Sequence, residues 1–158
     1  MSALQGAALL AAAIAMGLMA GVFWIYGNAI MPGLRRSDDR TFVGAFQSID
    51  KAIINPLFMA AFFGALLLTG AAVALNVSEE DVLPWTVAAF LLYLFVVVIT
   101  MRIHVPRNDE IKATTDPDPA VVRQRFDEAT WVRWNRVRAA ASTAALACLA
   151  WGLAEYTP

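Results

Sequence analysis

Trp131, Asn135, Arg138 and Ser142 stand at i, i+4, i+7 and i+11, so a helix carries them on one face. Trp134 and Arg138 are neighbours on that helix at i, i+4. Such a face offers aromatic walls, an amide and a guanidinium to a flat ligand. A guanidinium grips a planar anion with its fork of donors and also stacks on rings. A second reading competes. Tryptophan anchors at membrane boundaries, and a nearby arginine can stretch to lipid phosphate. That reading suits Trp131, Arg133 and Arg136; Asn135 and Arg138 are the deepest polar pair and suit a pocket. His104 is the sole histidine. It reads either as a cation at a helix C-terminus or as a general acid or base near neutral pH.

Other chemistry finds little support. One histidine, the lone Cys148 and no carboxylate inside an apolar stretch make a poor metal set. Phosphate-binding, dinucleotide, haem-attachment and nucleophile-elbow motifs are absent. A net charge of −1 gives no footprint for nucleic acid. Asp109 and Glu110 are candidates for a pocket mouth, or plain solvated carboxylates.

The elements that position these residues are set by the membrane. The chain is 59% hydrophobic and 16% charged, against about 25% charged in a soluble domain. No charged side chain occurs at positions 1–34, 52–78 or 82–101. Each run is long enough to cross a bilayer, which takes about 20 residues. Three helices are expected near 7–29, 53–75 and 83–103. The last charge-free run, Ala139 to Ala154, would span only about 24 Å of a roughly 30 Å core. The fourth helix must therefore draw Arg138, Asn135 and their neighbours to the membrane boundary. It is expected over 119–153, its first third outside the membrane. The expected fold is all-α: a single integral membrane domain over 1–158, an up-down four-helix bundle.

In that bundle all twelve Lys and Arg residues fall on one side, which predicts a cytoplasmic face there. Both termini then lie on the non-cytoplasmic side. Pro32-Gly33 is expected to stop the first helix. Phe42, Ala45, Phe46, Ile49 and Ile53 repeat at helical spacing, with Asp50 off the stripe. They predict an amphipathic cytoplasmic helix in the first long loop, or an extension of helix two. Ala13, Gly17 and Gly21 form a small-residue stripe, read as packing within one subunit or as a dimer seam. Four sets of polar or aromatic residues share one height: Trp24, Tyr26 and Asn28; Asn55; His104 and Asn108; and the Trp131–Arg138 segment. A polar group at that depth is expensive, so a pocket toward the cytoplasmic leaflet is expected.

The same residues carry a resemblance. Gly17-Leu18-Met19-Ala20-Gly21, Met31-Pro32-Gly33-Leu34, Ala52-Ile53-Ile54-Asn55-Pro56, His104-Val105-Pro106-Arg107-Asn108 and the 131–138 segment cover nearly the whole chain. In these the chain resembles the anthrone-oxygenase-like family of small four-helix membrane proteins. Asn55, Asn108, Trp134, Asn135 and Arg138 match its pattern; His104 and Arg107 depart from it. The resemblance implies oxidation of an anthrone to an anthraquinone, with dioxygen as co-substrate and no dedicated cofactor. Such a reaction needs aromatic walls, donors to an enolate oxygen and a base; Trp131 and Trp134 are the expected walls, Asn135 and Arg138 the expected donors, and His104, by its own chemistry, the expected base. Tyr26, Asn28, Asn55 and Asn108 complete the expected substrate-binding set. The expected surroundings are a bacterial inner membrane, its lipids and a lipophilic small molecule. The alternative is a non-enzymatic lipid- or quinone-binding protein, or an accessory subunit of a larger membrane complex. A homo-oligomer is compatible with either.

Overall fold

The computed structural model describes residues 2–155, and every regular element among them is helical. Four helical stretches are long and apolar enough to cross a membrane: Ala3–Arg35, Pro56–Leu75, Leu83–Ala113 and Glu128–Ala154. In chain order the α-helices are α1 (Ala3–Ile25), α2 (Met31–Arg35), α3 (Asp39–Ile53), α4 (Pro56–Leu75), α5 (Leu83–Ile99), α6 (Val105–Ala113), α7 (Pro119–Phe126) and α8 (Glu128–Ala154), with α3 and α7 outside the four long stretches. In the bundle α1 packs on α4 and α8, and α5 packs on the same two. The α4–α5 seam is the least closely packed of the four.

Two prolines shape the bundle differently from expectation. Pro32 does not stop the first helix, and the third does not end near 103. Each helix instead winds one wide π turn, Tyr26–Ile30 and Thr100–His104, and then continues as α2 and α6. The cause is local. A proline ring collides with the carbonyl four residues earlier, which is Asn28 for Pro32 and Arg102 for Pro106. Both carbonyls lie inside the π turns. There Met31 N–H reaches back to the Tyr26 carbonyl and Val105 N–H to that of Thr100. The wider turn absorbs the proline and keeps the helix running. π turns of this kind are frequent at functional sites.

The fourth helix also differs from expectation. It does not run unbroken from Pro119. Asp127 adopts φ 52°, ψ 64°, ends α7 and begins α8. Its carboxylate accepts the Thr130 N–H at 3.2 Å, and hydrogen bonding to the Thr130 side chain, then to its N–H, holds the Asp127 pKa below the ordinary value. Aspartate is one of the few residues that tolerate this left-handed backbone.

α3 and α7 close one end of the bundle. Asp38 caps α3 by accepting the Thr41 N–H at 3.0 Å, and Asp118 caps α7. The buried face of α3 carries Phe42, Phe46 and Asp50. Phe46 meets Phe126 of α7 with centroids 4.6 Å apart and Trp131 of α8 at 5.9 Å. The apolar stripe thus lies on protein, as an aromatic layer distinct from the core between the long helices. Arg123 fastens the layer: its guanidinium lies 4.3 Å from the Phe42 ring centroid and pairs with Asp39 and Glu128. Along the α1 stripe, Gly17 faces Leu146 of α8 with room to spare, and nothing lies within 4 Å of a Cβ at Gly21.

Candidate functional site

A cavity of about 290 Å³ lies between the long helices and the aromatic layer. That is near the lower limit of small-molecule pockets, about 300–1,000 Å³. Its walls come from α1, the first π turn, α3, α4, the second π turn, α6 and α8. Most of the lining is apolar. Phe58, Phe62 and Phe63 of α4 and Met101 of the second π turn place one flank on the α4–α5 seam.

Arg138 enters this cavity from α8 and is only 6% exposed. Its Nη1 donates to Thr100 Oγ1 at 3.2 Å and its Nη2 to Asn135 Oδ1 at 2.9 Å. Asn135 is wholly buried and donates its own amide to the Phe23 carbonyl at 2.9 Å. The guanidinium lies 4.4 Å from the Phe23 ring centroid and 5.6 Å from that of Trp131. Among the described residues its Nε has no acceptor, and none of the ion pairs includes Arg138. A guanidinium has five N–H donors, so three are left beyond these two hydrogen bonds.

Around it stand His104, Trp131 and Tyr26. The His104 ring is 1% exposed and meets the Trp131 ring edge-on at 5.0 Å. The Ile99 and Trp131 carbonyls lie near it, yet neither ring nitrogen has a well-aligned hydrogen bond among the described residues. Tyr26 stacks obliquely on Trp131 at 5.8 Å. The π turns put these groups in place: Tyr26 begins the first, and Thr100 and His104 bound the second.

A polar chain runs from the cavity to the end of α6. Trp131 Nε1 donates to Asn108 Oδ1 at 2.9 Å, and Asn108 Nδ2 donates to Asp50 Oδ1 at 2.6 Å. Lys112 Nζ pairs with Asp50 Oδ2 at 2.9 Å and with Asp109 Oδ1 at 3.0 Å. Asp50, Asn108, Asp109 and Lys112 all border the cavity.

The structure therefore brings together Tyr26, His104, Asn108, Trp131 and Arg138 on the cavity wall, with Asn135 immediately behind Arg138. It places three expected residues elsewhere. Asn55 is exposed and caps α4 by accepting the Phe58 N–H at 3.0 Å. Asn28 is exposed and bonds back to the Trp24 carbonyl. Trp134 is half-buried and outside the cavity lining. Sequence reasoning missed Phe23, Asp50, Thr100 and Lys112. Asp50 follows Phe42 and Phe46 at successive steps of four, which is the signal that would have found it. Among the described residues no three His, Cys, Asp or Glu side chains gather as a metal set.

A family model described as anthrone oxygenase matches residues 51–148, more than half of the chain. The chain belongs to the anthrone oxygenase family. The matched stretch of this anthrone oxygenase family member holds Thr100, His104, Asn108, Trp131, Asn135 and Arg138; Phe23, Tyr26 and Asp50 come from the segment before it. Comparisons with curated proteins and with solved structures find no match.

Proposed function

We propose that this protein takes a flat, lipophilic aromatic ketone of the anthrone type into the cavity and oxidises it with dioxygen to the quinone. One observation carries the reading: Arg138, with spare N–H donors, is buried in an aromatic-lined cavity without a carboxylate partner. An unneutralised guanidinium in such a place suits a ligand oxygen that gains negative charge.

The chemistry follows from that placement. An anthrone is acidic at its central carbon because the resulting negative charge moves to the ketone oxygen. Loss of that proton yields an enolate, whose oxygen Arg138 binds through a charge-assisted hydrogen bond. Donors fixed where charge develops stabilise the transition state without reorganising. The electron-rich carbon then reduces dioxygen and bonds to it, giving a hydroperoxide after protonation. Loss of the second hydrogen from that carbon, with O–O cleavage, releases water and leaves the carbonyl. One anthrone and one dioxygen give one anthraquinone and one water. The first proton needs an acceptor on the wall, where His104 and Asp50 both stand.

The setting is a cell membrane, read as the bacterial inner membrane, with α3 and α7 on the cytoplasmic side and both termini opposite. The basic residues gathered toward the α3–α7 end support that orientation. The apolar flank at the α4–α5 seam suits a substrate dissolved in lipid.

The test is turnover in proteoliposomes supplied with anthrone under oxygen. The expected result is anthraquinone formation above protein-free vesicles, with one dioxygen consumed per product, and its loss in Arg138→Ala. Saturable binding of anthrone with no oxidation would overturn the enzymatic reading and favour a lipid- or quinone-binding module.

A further inference from the structure

Asp50 is the only carboxylate on α3 that reaches the cavity, and it is 6% exposed. Burying a carboxylate is costly unless charge and hydrogen bonds compensate it. Here Asn108 and Lys112 do so, at 2.6 and 2.9 Å. Those two partners occupy one site on each oxygen. An ionised carboxylate has about four acceptor sites, so acceptor capacity remains on a residue that lines the cavity.

We propose that Asp50 is the catalytic base that takes the proton from the acidic carbon of the substrate. The assignment rests on the anthrone-type reading above. Arg138 and Asp50 reach the cavity from different elements, α8 and α3. In an anthrone the ketone oxygen and the acidic carbon are opposite each other across the central ring. A ligand with its oxygen on Arg138 presents its far side to another wall. The step is a single proton transfer: the C–H bond breaks, its electron pair stays on carbon and moves toward the ketone oxygen, and the proton joins an Asp50 oxygen. No charge is created, because a carboxylate becomes neutral as the enolate forms beside Arg138.

His104 is the weaker base by arrangement. The Trp131 ring lies within 5.0 Å of His104 and 5.6 Å of Arg138, so an imidazolium would form a second cation close to the guanidinium. No carboxylate pairs with its ring among the described residues. Asp50, by contrast, lies near the protein surface: Lys112 pairs with it and with Asp109, which is 61% exposed.

The experiment is anaerobic exchange of the central-carbon hydrogens of anthrone for deuterium, followed by NMR in proteoliposomes, with wild type, Asp50→Asn and Asp50→Ala. Anthraquinone quenching of tryptophan fluorescence reports that the cavity is intact. General base catalysis contributes about 10²–10⁴-fold, so exchange should fall by at least about 100-fold in both variants while quenching persists. Added formate should restore exchange to Asp50→Ala by replacing the missing carboxylate. Exchange at the wild-type rate in the quenched variants would overturn Asp50 as base and leave the oxidation reading intact. Wild-type protein that is quenched yet exchanges nothing above empty vesicles would overturn both.

Discussion

Arg138 Nη2 donates to Asn135 Oδ1 at 2.9 Å, and Asn135 in turn donates to the Phe23 carbonyl across the α1–α8 seam. The guanidinium is therefore aimed by a side chain that is itself fixed to another helix. Arg138→Ala should lower kcat/KM by about 100–1,000-fold, the usual loss for one oxyanion donor. Asn135→Ala should cost less, and the double variant should cost less than the product of the two, because the residues act as a unit. A double-mutant cycle in turnover checks this; full additivity would mean that Asn135 does not position Arg138.

Gly27 belongs to the same seam. A Cβ added there would lie 3.3 Å from Asn135 Nδ2, which must then shift by a few tenths of an ångström. Gly27→Ala should reduce kcat/KM by about tenfold, since small misplacements of a preorganised group are costly. Gly21→Ala, six residues earlier, meets nothing within 4 Å and should turn over as wild type. Parallel kinetics of the two variants distinguish a local push on Asn135 from a general effect of alanine along the first membrane-spanning stretch.

The π turn before Pro106 sets the direction of His104. Pro106→Ala removes the ring that opposes the Arg102 carbonyl and restores a backbone N–H. The turn at Thr100–His104 should then tighten toward ordinary α geometry, rotating His104 away from Trp131. The expected outcome is a shift in tryptophan fluorescence and lower turnover, with thermal stability retained or raised. Unchanged fluorescence would show that the wide turn is held by packing instead.

Asp127 combines a left-handed backbone with a cap. Asp127→Ala loses the Thr130 contact, worth about 1 kcal/mol, and adds strain of about 1–2 kcal/mol at φ 52°. Asp127→Asn should retain most of the stability. Because its pKa is lowered in the folded state, the ionised cap contributes above the unfolded value of about 3.9. That contribution fades as pH falls through the folded value. Acid unfolding in detergent should be less steep in Asp127→Asn, by only a small amount because the side chain is exposed.

The crossings were legible because charge-free runs longer than a bilayer admit few other structures. Trp131, Asn135 and Arg138 were legible as one face because helical spacing alone decides that. The ends of the helices were not. Pro32 and Pro106 read the same locally whether a helix stops or winds a π turn, and only tertiary packing chooses between them. Asp127 broke a helix that spacing extended to Pro119, since aspartate carries no compulsory backbone signal. Asn55 fits a family motif and a pocket height, yet the structure uses it to cap α4. Asp50 reads from the sequence as lying off the apolar stripe, because a carboxylate adds nothing to an apolar pattern. Its partners Asn108 and Lys112 come from α6, some sixty positions later, and local spacing does not reveal them.

The central claim is that Arg138 stabilises negative charge on a ligand oxygen inside the cavity. The absorption spectrum of anthrone bound without oxygen tests it most directly. Wild-type protein should show the enolate band of the ligand, Arg138→Lys should show a weaker one, and Arg138→Ala should show the neutral ketone. A neutral-ketone spectrum in the wild type, or an equal enolate band in Arg138→Ala, would contradict it.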